Sequence, residues 1–244
     1  MELIPSIDLM GGQVVRLHRG QFDDAVFYSR SALELARSWS RLGARSLHVV
    51  DLDGARSGRR ENAAMIAGVV EATTLSVQVG GGIRDDESLE AVYESGVQRA
   101  VCGSALAEDP PRAGRWVQRY GSDRLVAALD VRSGSEPEVL TRGWVRESGR
   151  SLWELLELLL DQGYRWFLCT DVDRDGMLRG PNTDLYAECV WRAPQASFIA
   201  SGGVSRADDL QALADTGVAA AVSGKALLEG RISAEEAERC WRGG

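Results

Sequence analysis

Proline, cysteine and histidine are all scarce in this chain, at 6, 4 and 2 of its 244 residues. The cysteines (Cys102, Cys169, Cys189, Cys240) are scattered, with no CxxC pair and no zinc-finger spacing. That excludes a disulfide framework and leaves the expectation of free, mostly buried thiols in a cytoplasmic protein. Basic runs are missing as well. Thirty-six acidic against 28 basic residues give a net charge of −8 and a pI near 5.0, which disfavours nucleic-acid phosphates as partners. Uncharged stretches fall well short of the roughly 20 residues that span a bilayer, so no membrane is expected. The opening MELIPSIDLM has an acid at position 2 and lacks the basic start and long apolar core of a secretory signal. There is no metal-ligand cluster, no Rossmann fingerprint and no serine or cysteine triad signature. What remains is ordinary globular composition, 44% hydrophobic and 26% charged.

Glycine is plentiful, at 27 residues, and follows short apolar runs where a flexible linker would show none. The runs are 2–8, 46–51, 75–80, 99–103, 125–130, 166–170, 197–201 and 220–224. Each is nearly continuous in apolar residues, as in a parallel strand covered on both faces. Between them lie segments with helical spacing, such as ALELARSWSRLG and LWELLELLLDQG, several ending in glycine. Eight strand–helix units of about 30 residues each suit a closed (β/α)8 TIM barrel better than an open doubly wound sheet. The chain also repeats itself. Residues 78–106 laid over 199–227 agree at 11 of 29 positions, including Gly81/Gly202, Gly82/Gly203, Gly96/Gly217 and Gly103/Gly224. Asp8/Asp130 and Asn62/Asn182 stand at nearly the same offset. A single α/β domain is expected, built from duplicated half-barrels of about 1–122 and 123–244.

In such a barrel the repeated glycines lie on loops at the active-site end. Gly202 and Gly203 with Gly224 and Lys225 would form one phosphate site at the start of a short helix, and Gly81 and Gly82 with Gly103 and Ser104 its duplicate. Tight strand–helix turns alone would also use these glycines, but their duplication favours a substrate with a phosphate at each end. Asp8 and Asp130 end opposite strands, a quarter turn from the glycine sites, where facing carboxylates suit general acid–base work. Each could instead cap the following turn. The string Asp171, Asp173, Asp175, Gly176 opens like a calcium loop, but its twelfth position is Asn182 where a bidentate Glu belongs, and a strand precedes it. Thr170 and Asp175 read better as active-site residues. Two long loops carry Arg16, His18 and Arg19, and Arg132, Arg142, Trp144 and Arg146. Arg142 beside Trp144 could clamp an anion and stack on a flat ring, or Trp144 could pack the loop onto the barrel. His48 reaches toward the site or is a satisfied core histidine.

Taken together, IPSIDLMGGQVVRL, HVVDLDGA, VGGGIRDDESLEAVYESGV, ALDV, TDVDRDGMLRGPN and ASGGVSRADDL resemble the phosphoribosyl isomerase family of histidine biosynthesis, HisA, along essentially the whole chain. The resemblance implies a cofactor-free Amadori rearrangement of ProFAR, an aminoaldose with two phosphates, into its aminoketose. It makes Asp8 the base at the sugar C2 and Asp130 the acid that opens the ribose ring, assisted by Thr170. The related cyclase subunit of imidazole glycerol phosphate synthase has Cys near Ser6 and Lys near Arg16, and so fits less well. The loop Arg142-Gly143-Trp144 is similar to that of the actinobacterial variant, PriA, which also isomerises phosphoribosylanthranilate; there Arg and Trp alternate to suit two substrates. That likeness implies anthranilate binding by Arg16 and an acid role for Asp175. Gly80 departs from the serine usual in the variant, so specialisation to one substrate stays open, as does a non-catalytic phosphosugar-binding paralogue. The expected partner is a small phosphorylated sugar, bound by a monomer.

Overall fold

A computed structural model describes residues 1–18 and 20–242. Its strands in chain order are β1 (Glu2–Met10), β2 (Gln13–His18), β3 (Gln21–Phe27), β4 (Ser46–Asp51), β5 (Ser76–Gly80), β6 (Arg99–Cys102), β7 (Leu125–Arg132), β8 (Glu138–Thr141), β9 (Arg146–Ser151), β10 (Trp166–Asp171), β11 (Ser197–Ser201) and β12 (Ala220–Ser223). Eight of them correspond to the eight apolar runs. They pair in parallel in the order β10-β11-β12-β1-β4-β5-β6-β7, and β7 pairs back onto β10 to close the barrel. Ile4, Val101, Val126, Leu168, Ile199, Ala220 and Val222 fill the barrel interior. A larger apolar layer lies between the strands and the surrounding helices. Trp241 on the last helix donates its indole N–H to the Leu3 carbonyl at 2.8 Å, tying the chain's end to its first strand.

The duplication reappears as matched backbone. Ser31 and Ser151 each open a helix with a capping box closed by Glu34 and Glu154, at nearly identical dihedrals (φ −70°, ψ 158° and φ −69°, ψ 158°). Such reciprocal caps satisfy otherwise orphaned N–H groups at the helix start. Deeper in, Asn62 donates to Asp51 and Asn182 to Asp171, both at 2.7 Å. Asp51 and Asp171 are wholly buried, so each loop that follows β4 or β10 is pinned by a buried carboxylate–amide pair.

The two long loops are not irregular. Each continues its barrel strand outward and folds back as an antiparallel hairpin, β2–β3 after β1 and β8–β9 after β7. The strands therefore run two residues past Asp8 and Asp130, and neither aspartate is a turn cap. Asp8 sits opposite Val15, and Asp130 opposite Leu140. Both carboxylates are consequently carried on paired backbone, which fixes them better than a loop would. Val15, Leu17 and Leu52 pack the first hairpin onto the barrel rim. Arg19 lies outside the described residues, as does the side chain of His18.

Candidate active site

The barrel's open end holds a cavity of about 750 Å³, lined by residues from all eight parallel strands or the loops after them. Asp8 on β1 and Asp130 on β7 stand four strands apart in the ring of eight, across the cavity from one another. The two differ in their neighbours. Arg16, on β2, donates to Asp8 at 2.8 Å with one terminal nitrogen and to both oxygens of Asp175 at 2.9 and 3.1 Å with the other. All three side chains are largely buried, at 10 to 16% exposure. Burial pushes the Asp8 carboxyl above its usual range, with Arg16 opposing and the charge of Asp175 adding to it. Burial works against the Arg16 charge, but Asp175 and Asp8 outweigh it and hold the guanidinium firmly protonated. Asp130 is raised too, first by burial, with hydrogen bonds from the Trp144 and Thr170 side chains opposing and Asp175 adding to it. The cation therefore serves Asp8 and leaves Asp130 to neutral donors.

His48 is buried on β4 and lines the cavity, so it belongs to both of the settings the sequence left open. The Gln78 amide reaches its Nδ1 at 3.0 Å. Because an amide N–H donates, a neutral ring accepts at Nδ1 and carries its proton on Nε2. Burial, and then the Arg16 charge, push its pKa down to about 4, so the ring is neutral at physiological pH.

The duplicated glycines form two cradles on opposite sides of the mouth, between β5 and β6 and between β11 and β12. Gly82 and Gly203 show why no side chain is possible here. At φ +76° and +90°, a Cβ would lie 2.6 Å from the Gly54 carbonyl oxygen and 2.4 Å from that of Gly180. Gly81 and Gly202 are equally left-handed, at φ +97° and +96°. Gly103 and Gly224 share another conformation, φ −115°, ψ −88° and φ −108°, ψ −78°, just before Ser104 and Lys225. Backbone bared in this way lets N–H groups approach an anion. Lys225, the only lysine in the sequence, donates to the Gly176 carbonyl at 3.0 Å beside the second cradle.

Thr170 and Asp175 line the same cavity, as do Arg142 and Trp144. The last pair point differently. Trp144 reaches inward to Asp130, whereas the Arg142 guanidinium turns outward to Glu108, at 2.7 and 3.1 Å, and its backbone N–H donates to Ser104 Oγ at 2.8 Å. Arg132 pairs with Glu147 instead of lining the cavity. The calcium-like string is engaged elsewhere: Asp171 accepts from Asn182 and Ser133, and Asp175 from Arg16. Among the described residues no group of three or more His, Cys, Asp and Glu is set to hold a metal, and no helix is long and apolar enough to cross a membrane. The four cysteines are unpaired, and burial pushes the Cys102 thiol up, away from reactivity. Sequence reasoning missed Gln78 and Glu108. Neither stands in a motif, and only the fold brings them to His48 and Arg142.

The family described as histidine biosynthesis protein matches residues 2–233. Among curated proteins, the chain is 41% identical over 244 residues to one from Cronobacter sakazakii (strain ATCC BAA-894) and to another from Enterobacter sp. (strain 638). Each match covers 99% of this chain and all of the relative. Both relatives are named phosphoribosyl-(phosphoribosylamino)methylideneamino-imidazole-carboxamide isomerase.

Proposed function

Since the chain belongs to the histidine biosynthesis protein family, we propose that it isomerises ProFAR, converting the aminoaldose to the aminoketose. One observation supports this above the rest. A buried carboxylate, Asp8, and a half-buried one, Asp130, face each other across a cavity whose remaining two sides carry matched glycine cradles. Those cradles receive the two substrate phosphates, Lys225 adding its charge to one of them, and the ribose between them spans the gap from Asp8 to Asp130.

The carboxylates then divide the work. Among the described residues Asp130 has no adjacent cation, and burial favours its neutral form, so it is the carboxyl suited to give a proton to the ring oxygen as the C1–O bond opens. Thr170, which hydrogen-bonds it, keeps the carboxyl oriented. Asp8, kept charged by Arg16, takes the C2 proton of the resulting iminium and leaves an enolamine. Reprotonation at C1 and loss of the enol proton give the ketose, with no net oxidation. Asp175 shares Arg16 with Asp8 and lies near enough to raise both carboxyls, so it acts as the third acid of the site. His48, neutral, offers a hydrogen bond rather than charge.

A second substrate, phosphoribosylanthranilate, is favoured by the Trp144 indole beside Asp130, a surface on which a flat ring can stack. Arg16 would meet its carboxylate. Gly80 bears on this, since a Cβ there would lie 3.4 Å from Val101 Cβ and narrow the wall.

Steady-state turnover of the purified protein on both substrates tests the proposal. Asp8→Asn and Asp130→Asn should each lose on the order of 10²–10⁴ in rate on ProFAR. Undiminished rates in both variants refute the mechanism, and turnover of neither substrate by the wild type refutes the enzyme. Turnover of ProFAR alone removes the second substrate and keeps the first.

A further inference from the structure

The turn joining β8 to β9 adopts a conformation that its residues resist. Arg142 and Trp144 both have left-handed backbone, at φ +57° and +71°, on either side of Gly143 at +69°. Side chains disfavour that region, so such a turn persists only where its surroundings hold it. Three contacts do so. Ser104 Oγ accepts the Arg142 backbone N–H, the Glu108 carboxylate takes the Arg142 guanidinium through two hydrogen bonds, and the Trp144 ring packs on Gly20. At Gly20 a Cβ would lie 2.7 Å from the indole, so only a glycine admits it.

Glu108 is the charged member of this set. The cavity that Arg142 lines carries four carboxylates besides Glu108, namely Asp8, Asp109, Asp130 and Asp175, and Arg16 pairs with two of them. Freed from Glu108, Arg142 would let the left-handed turn relax, and Trp144 two residues on would be displaced with it. As a surface pair, with side chains 37% and 58% exposed, Glu108 and Arg142 add little to stability. The bidentate geometry instead fixes a direction. We propose that Glu108 is a positioning residue: by holding Arg142 at the outer rim it keeps Trp144 on Asp130. This rests on the reading of Asp130 as the acid.

The test is Glu108→Ala, with Glu108→Gln as a second variant that keeps an acceptor without the charge. Two measurements decide it. Acrylamide quenching, taken as the difference between each protein and its Trp144→Phe counterpart, should show Trp144 newly exposed in Glu108→Ala and partly so in Glu108→Gln. On ProFAR, kcat should fall about fivefold in Glu108→Ala with KM little changed, the scale set by one exposed ion pair. The alkaline limb of its pH profile should move up, because Asp130 loses the Trp144 donor and keeps only the Thr170 hydroxyl against the Asp175 charge. On an Arg142→Ala background, Glu108→Ala should change nothing further. Unchanged quenching, or an unchanged kcat and limb, overturns the proposal. A wild-type chain without turnover would refute the catalytic reading, and the quenching result would still decide whether Glu108 positions Trp144.

Discussion

Arg16→Met separates the two carboxylates from the one cation they share. Arg16 lies 2.8 Å from Asp8 and 2.9 Å from Asp175. At an effective dielectric of about 20, unit charges about 4 Å apart interact by about 4 kcal/mol, an upper figure before reorganisation. A carboxyl losing such a neighbour typically rises by about 1–3 pKa units. Burial already holds Asp8 high, and the Asp175 charge adds to that once Arg16 is gone. A base must be ionised to act, so the acid limb of kcat/KM on ProFAR should move to higher pH by about 1–3 units. Stability should follow the same sign. A carboxyl raised in the folded chain contributes stability at low pH that is lost as the pH climbs through the folded value. Raising that value further makes Arg16→Met weakest against the wild type at high pH and closest to it near pH 4. The assay is a pH–rate profile from pH 5 to 9 beside urea unfolding at pH 4 and pH 9. An acid limb that stays in place refutes the assignment of Asp8 as the base whose charge Arg16 maintains.

The remaining predictions concern other parts of the same end of the barrel. Gly82→Ala and Gly203→Ala should each lower unfolding free energy by about 2 kcal/mol or more, since each forces a Cβ onto a carbonyl oxygen at positive φ; an unchanged urea midpoint contradicts this. Asn62→Ala and Asn182→Ala each leave a buried carboxylate short of a donor, and should cost about 1–3 kcal/mol apiece by denaturation, to a similar extent. His48, with its pKa pushed down to about 4, should withdraw stability as pH falls from its ordinary range toward that value, by up to about 3 kcal/mol; His48→Gln should remove this component of the slope in unfolding curves at pH 7 and 4.5. An amine-directed phosphate reagent such as pyridoxal phosphate with borohydride should label Lys225 and the N-terminal amine alone by peptide mapping. Substrate should protect Lys225, and labelling unaffected by substrate would detach it from the phosphate site.

The barrel was legible because its strands are buried on both faces and so stand out as apolar runs. Hairpin strands such as QFDDAVF and RESGRS are largely exposed and at the sheet edge, without the continuous burial that marks the barrel strands. For the same reason Asp8 and Asp130 look like strand ends when the strands in fact continue. Self-comparison exposed the cradles, because Gly81, Gly82, Gly202 and Gly203 answer to backbone collisions that recur in each half. The same comparison marked Asn62 and Asn182 without suggesting what they bind, since their partners Asp51 and Asp171 lie 11 residues away in sequence. Arg142 and Trp144 were legible as a pair but not in direction. The guanidinium of Arg142 is held by Glu108, 34 residues earlier and outside any motif.

The placing of the two cradles on opposite arcs of one closed ring makes the barrel a gauge. The circumference of an eight-stranded barrel is fixed by strand number and stagger, and buried amide–carboxylate pins hold the loops to it on both sides. Neither jaw can slide to suit a shorter or longer ligand. With the cradles holding phosphates as proposed, molecules would be accepted by length first, and one of another span would leave a jaw empty. New chemistry on this frame therefore has its room for change between the jaws, where the hairpins bring Arg16 and Trp144.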